Sequence, residues 1–225
     1  MSITPLLISY YCSLNQLHYF TNMNYNYNYL FKRKGEIHLR VYIAIDFEDG
    51  IKNYLDKITS YIKNHCIEGS FTRKNNFHLT VRFIGEVDNI QIAKIKEVID
   101  KAVLNISPFE LLVDNLGVFK RKNTNILWIG IEKNAFLSEL YEKLSTLLKE
   151  SNMPFYDKLY MPHITLGRRV LFGEEPTDLN NLFQFQRIII PVNAITLMAS
   201  KEENGKLNGV AIYKVNLNEP STTLD

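Results

Sequence analysis

The chain has 225 residues, 46% hydrophobic and 22% charged, enough apolar material for a sizeable core and too much for a disordered or fibrous protein. A net charge of +2 with a pI near 8.4 is too mild to demand a polyanion as partner. Two cysteines, Cys12 and Cys66, lack CxxC spacing, which excludes a disulfide framework and points to a reducing, cytoplasmic compartment.

Residues 1–35 stand apart from the rest. The stretch from Asn22 to Tyr29 is low-complexity, with no sustained helical or strand period. The apolar part near Pro5 to Leu14 has no Lys or Arg before it and is too short to span a membrane, so neither a signal peptide nor an anchor is expected. This segment reads as a disordered extension, and the working domain is expected over residues 36–219.

Within that domain, Val41 to Ile45 reads as a strand. Ile51, Tyr54, Leu55, Ile58, Tyr61 and Ile62 follow with the spacing of an amphipathic helix. His78-Leu79-Thr80 then opens an apolar run of strand type. A second helix is predicted from about Asn89 to Leu104, with Ile92, Ile95, Val98, Ile99 and Ala102 on its stripe and Asp88 or Asn89 as its cap. Phe109 to Leu116 reads as a strand, and Leu127 to Ile131 as another. Phe136, Leu137, Leu140, Tyr141, Leu144 and Leu147 form the next helical stripe, and His163-Ile164-Thr165 heads a further strand. A short, irregular helix around Pro176 to Phe183 and strands at Ile188 to Ser200 and Val210 to Leu217 complete the pattern.

The order strand, helix, His-bearing strand thus occurs twice. Ala44 precedes His78 by 34 residues and Gly130 precedes His163 by 33, and the strands Val41-Tyr42-Ile43-Ala44-Ile45 and Leu127-Trp128-Ile129-Gly130-Ile131 resemble each other. We read an internal duplication, giving an α+β fold of two similar lobes, each a mainly antiparallel sheet with flanking helices. If an approximate two-fold axis relates the lobes, the two His strands face each other across one cleft.

Because strand side chains alternate, His and Thr two residues apart share one face while Leu79, Val81, Ile164 and Leu166 take the other. A lone His or Thr on a strand is most often structural. Occurring as pairs in both halves of a duplication, His78, Thr80, His163 and Thr165 become the candidate site residues. There is no HExxH, no Cys/His ligand cluster, no phosphate-cradling glycine loop and no GxSxG, so no metal, cofactor or serine nucleophile is expected. Basic clusters at Lys32 to Lys34, Arg73-Lys74 and Lys120 to Lys122 read first as solvated surface, whereas Arg168-Arg169 adjoins a His-x-Thr and is the candidate phosphate ligand. Arg82 shares the face of His78 by parity, as an RNA contact or a rim residue. Phe83, Phe109, Trp128 and Tyr213 sit in core-like runs, although Tyr213 and Phe119 could also reach the cleft and stack a base.

The runs Arg40 to Phe47, Phe77 to Val87, Leu116 to Phe119 leading into Ile126 to Ile131, and Met161-Pro-His-Ile-Thr-Leu-Gly-Arg168 together resemble the RNA 2′,3′-cyclic phosphodiesterases, also called 2′-5′ RNA ligases, of the two-histidine phosphoesterase superfamily. The likeness spans roughly residues 38 to 217. It departs from the family at Arg73-Lys74, where an aromatic residue often follows the Arg, and in the long N-terminal extension. The resemblance implies a bilobal fold with both motifs in a central cleft and metal-free opening of a 2′,3′-cyclic phosphate RNA end to a 2′-phosphate. It also implies His78 as proton donor, His163 as acceptor, and Arg168 as guanidinium clamp. The side chains themselves leave the two histidine roles interchangeable, and strict alternation from His163 favours Arg169 unless Gly167 interrupts it. The expected partners are RNA ends or small cyclic-phosphate nucleotides, with no membrane and no obligate protein partner, the chain acting as a monomer. A phosphodiesterase of another small cyclic phosphate or 2′-5′-linked nucleotide, and a non-catalytic RNA-binding module, are the alternatives.

Overall fold

The computed structural model describes residues 38–156, 159–173, 179–182, 186–203 and 205–218. The expected N-terminal extension and half of the Pro176 to Phe183 segment lie outside the described residues. The elements run β1 (Leu39–Asp46), α1 (Asp49–Lys63), β2 (Cys66–Phe71), a 3₁₀ turn (Lys74–Asn76), β3 (His78–Val87), α2 (Asn89–Val103), β4 (Phe109–Lys120), β5 (Asn125–Ile131), α3 (Ala135–Glu150), β6 (His163–Phe172), α4 (Leu179–Leu182), β7 (Ile189–Val192), β8 (Ala194–Glu203) and β9 (Lys206–Asn216).

The strands form two antiparallel sheets, ordered β3-β1-β8-β9 and β2-β6-β5-β4-β7. Strands β1 and β3 of the first sheet correspond to β5 and β6 of the second, so the duplication read from the sequence is also a duplication of topology. Strand β2 breaks it by crossing from the first half of the chain to the outer edge of β6.

Side chains at the expected periods build the core between these layers. Helix α1 buries Leu55 and Ile62 but leaves Tyr61 55% exposed, and Phe136 at the start of α3 is 47% exposed, so the stripes are narrower than the apolar pattern suggests. Helix α2 starts at a capping box in which Asp88 accepts from the Gln91 N–H and Gln91 accepts from the Asp88 N–H. Leu79, Val81, Ile164 and Leu166, opposite the His-x-Thr face, are at most 2% exposed and belong to one continuous cluster. Truncating any of these leucines or isoleucines to Ala costs about 2–5 kcal/mol.

Three strand expectations are corrected. Ile188 to Ser200 is two strands in different sheets, divided at Asn193, whose carbonyl accepts from the Leu217 N–H. Pro191, which has no N–H to give a ladder, sits exposed in edge strand β7. The strand from Phe109 continues to Lys120, and β9 begins at Lys206 rather than Val210. Strand β2 was not foreseen: it is largely exposed and carries Gly69, so it shows no alternation to read.

Both His strands are irregular at the same place. Ile43 and Ala44 of β1 pair with Arg82 and Thr80, leaving Val81 as an extra residue, and Leu127 and Trp128 of β5 pair with Gly167 and Thr165, leaving Leu166 as one. A bulge of this kind reverses the face of every residue after it. Val81 and Arg82 are therefore both buried, as are Leu166 and Gly167. Arg82 leaves the face of His78, and Arg168 joins the face of His163.

Candidate active site

His78 and His163 are the first residues of β3 and β6, and each ring is held by the backbone two residues earlier. Nδ1 of His78 donates to the Asn76 carbonyl at 2.9 Å, and Nδ1 of His163 donates to the Met161 carbonyl at 2.7 Å. A carbonyl only accepts, so Nδ1 carries the proton in both rings and Nε2 is left for proton transfer. The two imidazoles are therefore equivalent in tautomer and tether.

Each ring also lies against the aromatic residue of the preceding duplicated strand. Tyr42 packs on His78 with ring centroids 4.8 Å apart, and Trp128, at the corresponding position, lies 6.3 Å from His163. Phe119 adds an edge-on contact to His163 at 5.0 Å. Gly117 gives Trp128 its place, because a Cβ there would strike the indole ring. The Trp128 indole N–H is buried without a hydrogen-bond partner among the described residues.

Sequence reasoning placed Trp128 in the core and left Tyr42 unremarked. The signal that could have found both is their matched position in the two copies. Of the two aromatics that could have reached the cleft, Phe119 does, lying against His163. Tyr213 does not: its hydroxyl donates to Asp100 on α2 at 2.6 Å and Lys96 caps its ring, because β9 presents it to that helix.

Electrostatics bring the expected residues together. Burial lowers the pKa of His78 to about 4, against the Asn76 hydrogen bond and the Asp46 carboxylate, which raise it; Arg168 and Lys52 lower it further. Burial likewise lowers that of His163, opposed by the Met161 carbonyl and reinforced by Arg168. Both residues are half-buried as a whole, so they are recessed in the cleft rather than covered. Arg168 is the cation whose field reaches both. Thr80 and Thr165 lie half-buried on the same strands; Thr80 O accepts from the Tyr160 hydroxyl at 3.4 Å and Thr165 O from the Thr72 hydroxyl at 2.8 Å, so backbone contacts fix both positions.

Arg169 turns elsewhere. Its φ of 54° is left-handed and its guanidinium donates to the Ser70 hydroxyl at 3.2 Å on β2. The expected interruption of alternation at Gly167 falls one residue earlier, at Leu166. Arg82, read as a rim or RNA contact, is 3% exposed and donates to the Tyr141 and Ser145 hydroxyls and the Tyr156 carbonyl, with the Tyr141 and Phe155 rings over its guanidinium at 4.2 and 4.6 Å. It ties β3 to α3. Arg73 donates to Leu207 O and the Asn208 side chain, joining the 3₁₀ turn to the β8–β9 hairpin.

Among the described residues, no group of three His, Cys, Asp or Glu is placed to hold a metal ion, and no helix is long and apolar enough to cross a membrane. What the arrangement offers is two recessed imidazoles with free Nε2 atoms, one guanidinium and two strand threonines. That set suits proton transfer at a small anion.

A family model described as LigT like phosphoesterase matches residues 45–128, which include His78. An RNA 2′,3′-cyclic phosphodiesterase of Thermotoga maritima is 30% identical over 163 residues, covering 72% of this chain and 87% of that protein. One from Methanocaldococcus jannaschii is 33% identical over 132 residues, 58% of this chain and 71% of that protein. The crystal structure of Escherichia coli LigT complexed with 3′-AMP superposes with a TM-score of 0.66 at 21% identity, covering 81% of this chain and 99% of that one. The relatives establish descent and the superposition establishes the bilobal fold: the chain belongs to the RNA 2′,3′-cyclic phosphodiesterase family of two-histidine phosphoesterases.

Proposed function

We propose that this chain hydrolyses 2′,3′-cyclic phosphate ends of RNA to 2′-phosphates without a metal ion, and joins such ends reversibly in a 2′-5′ linkage when a 5′-hydroxyl takes the place of water as the nucleophile. The observation that carries the reading is that two imidazoles of the same tautomer lie within the field of one arginine. Nε2 of His163 takes a proton from water as the oxygen attacks phosphorus. The bond from phosphorus to O3′ breaks, and His78, protonated at Nε2, delivers its proton to O3′. Each transfer contributes on the order of 10²–10⁴-fold. Thr80 and Thr165 donate to the non-bridging oxygens, and Arg168 offsets the charge that gathers there.

The anion itself supplies the protonated histidine. In the empty site burial and Arg168 hold both rings neutral near pH 7, and a bound phosphate reverses that bias by adding negative charge. The functional unit is residues 36–219, acting as a cytoplasmic monomer on RNA ends. The test is incubation with an RNA ending in a 2′,3′-cyclic phosphate in excess EDTA, with the product end identified. A 2′-phosphate formed at an undiminished rate supports the reading. Strict dependence on an added divalent ion overturns the mechanism, and binding without turnover makes the chain an RNA-binding module.

A further inference from the structure

The hairpin between β4 and β5 carries a basic run that the chemistry above does not use. Lys120 ends β4, and the turn that follows is closed by the Arg121 N–H donating to Thr124 O at 2.8 Å. Lys120 and Lys122 are exposed and Arg121 half-buried. Beside the turn lies a cavity of about 400 Å³ whose walls are the three cations, Thr124, and Leu171 and Phe172 at the end of β6. Cations on one wall and a half-buried aromatic ring on another suit a nucleotide, the phosphate taken by the first and the base by the second.

Two strands link the cavity to the histidine site. On β4, Lys120 directly follows Phe119, whose ring touches His163 at 5.0 Å. On β6, Phe172 stands four positions after Arg168, about 13 Å at ~3.3 Å per residue, with Arg169 among the three residues between them. Cations thus stand at both ends of that interval, Arg168 beside the recessed imidazoles and Lys120, Arg121 and Lys122 at the cavity. Glu68, in register with Leu171 on β2, is an acidic residue at its margin.

We propose that this cavity is a subsite for an upstream nucleotide of single-stranded RNA whose 3′ end lies at His78 and His163. Lys120, Arg121 and Lys122 take an internucleotide phosphate, and Phe172 takes a base without regard to its identity. The proposal rests on the RNA-end reading above. It makes the enzyme prefer an oligonucleotide to a mononucleotide with the same cyclic end.

Two substrates separate the subsite from the chemistry: cytidine 2′,3′-cyclic monophosphate and an RNA of about a dozen nucleotides with the same end. In the triple variant Lys120→Ala, Arg121→Ala, Lys122→Ala, kcat/KM for the RNA should fall about tenfold or more, chiefly through KM, with the mononucleotide within about twofold of wild type. Phe172→Ala should weaken the RNA selectively at any salt concentration. In a second arm, fluorescence anisotropy follows a labelled RNA of the same length ending in a 2′-phosphate. The slope of log affinity against log salt should flatten by about 0.7 for the triple variant, the share of the one phosphate no longer neutralised. Equal loss on both substrates, or an unchanged rate on the RNA, overturns the subsite. If wild type opens neither substrate, the catalytic reading fails, and the anisotropy arm still decides the subsite: an unchanged slope overturns it and a flattened one supports it.

Discussion

Asp46 stands directly opposite His78 across the β1–β3 ladder, its carboxylate held by Lys52 Nζ at 2.7 Å and by the Phe47 N–H at 3.0 Å. The second lobe has no equivalent. The corresponding acid, Glu132, is engaged by Arg187 Nη1 at 2.8 Å, and Gly130 is the residue facing His163. Among the described residues, the charge acting on His163 is that of Arg168. The duplication is therefore broken where it would distinguish acid from base: only His78 has a carboxylate favouring its protonated form.

Replacing Asp46 with Asn should accordingly lower the pKa of His78. If His78 is the proton donor, the alkaline limb of the kcat profile moves to lower pH by roughly half a unit, the size expected of one solvent-screened charge. Glu132→Gln should leave both limbs in place. An acid limb that moves in Asp46→Asn while the alkaline limb stays would exchange the histidine roles.

The depressed histidine pKa values also set how stability depends on pH. Below ~6.5 the unfolded chain binds protons on these imidazoles. The folded site refuses the one on His78 until about pH 4. Stability from this term is complete above ~6.5 and falls as the pH drops through that window. Thermal melts from pH 7 to 4.5 should show the loss, and His78→Asn should reduce its slope. Phosphate works in the opposite sense, so calorimetry near pH 7 in buffers of differing ionisation enthalpy should detect proton uptake on binding.

Arg82 makes a contrasting prediction. Its charge is buried among Tyr141, Phe155 and three hydrogen-bond acceptors, away from the recessed histidines. Arg82→Ala should cost about 3–5 kcal/mol in urea unfolding, because it removes a desolvated cation and strands its partners. Turnover per folded molecule should stay within about twofold of wild type. A large kcat loss in a stably folded variant would return Arg82 to the site.

Much of this was legible in the sequence because it is periodic. The duplicated strands, the helices on either side of His78 and the cap at Asp88 all follow from spacing and residue type, and the His-x-Thr pairs name their own face. What spacing could not carry were the bulges at Val81 and Leu166, since an extra residue in a ladder leaves no mark on composition. Parity therefore misplaced Arg82 and pointed to Arg169. Strand β2 escaped for a different reason: it is held at the edge of β6 by backbone bonds, and Cys66-Ile-Glu-Gly-Ser-Phe71 has no buried face to declare it. Tyr42 and Trp128 were visible as apolar residues, but only the fold puts them against the imidazoles.

The two neighbouring arginines give the sharpest test of the geometry. Arg168 lowers the pKa of both histidines, so Arg168→Gln should shift both limbs of kcat/KM upward in pH as well as weakening catalysis. Arg168→Lys keeps the charge and loses the bidentate fork, so the limbs should hold their positions while kcat/KM falls by about tenfold or more. Arg169 is predicted to do neither, since its side chain is turned to Ser70 and its backbone is left-handed. Arg169→Gln should leave the limbs where they are. Arg169→Gly should be tolerated within about 1 kcal/mol, because a φ of 54° is costly for a side-chain-bearing residue and free for glycine. If Arg169→Gln moves the limbs and Arg168→Gln does not, the bulge at Leu166 does not bring Arg168 to the histidines, and the phosphate ligand is Arg169.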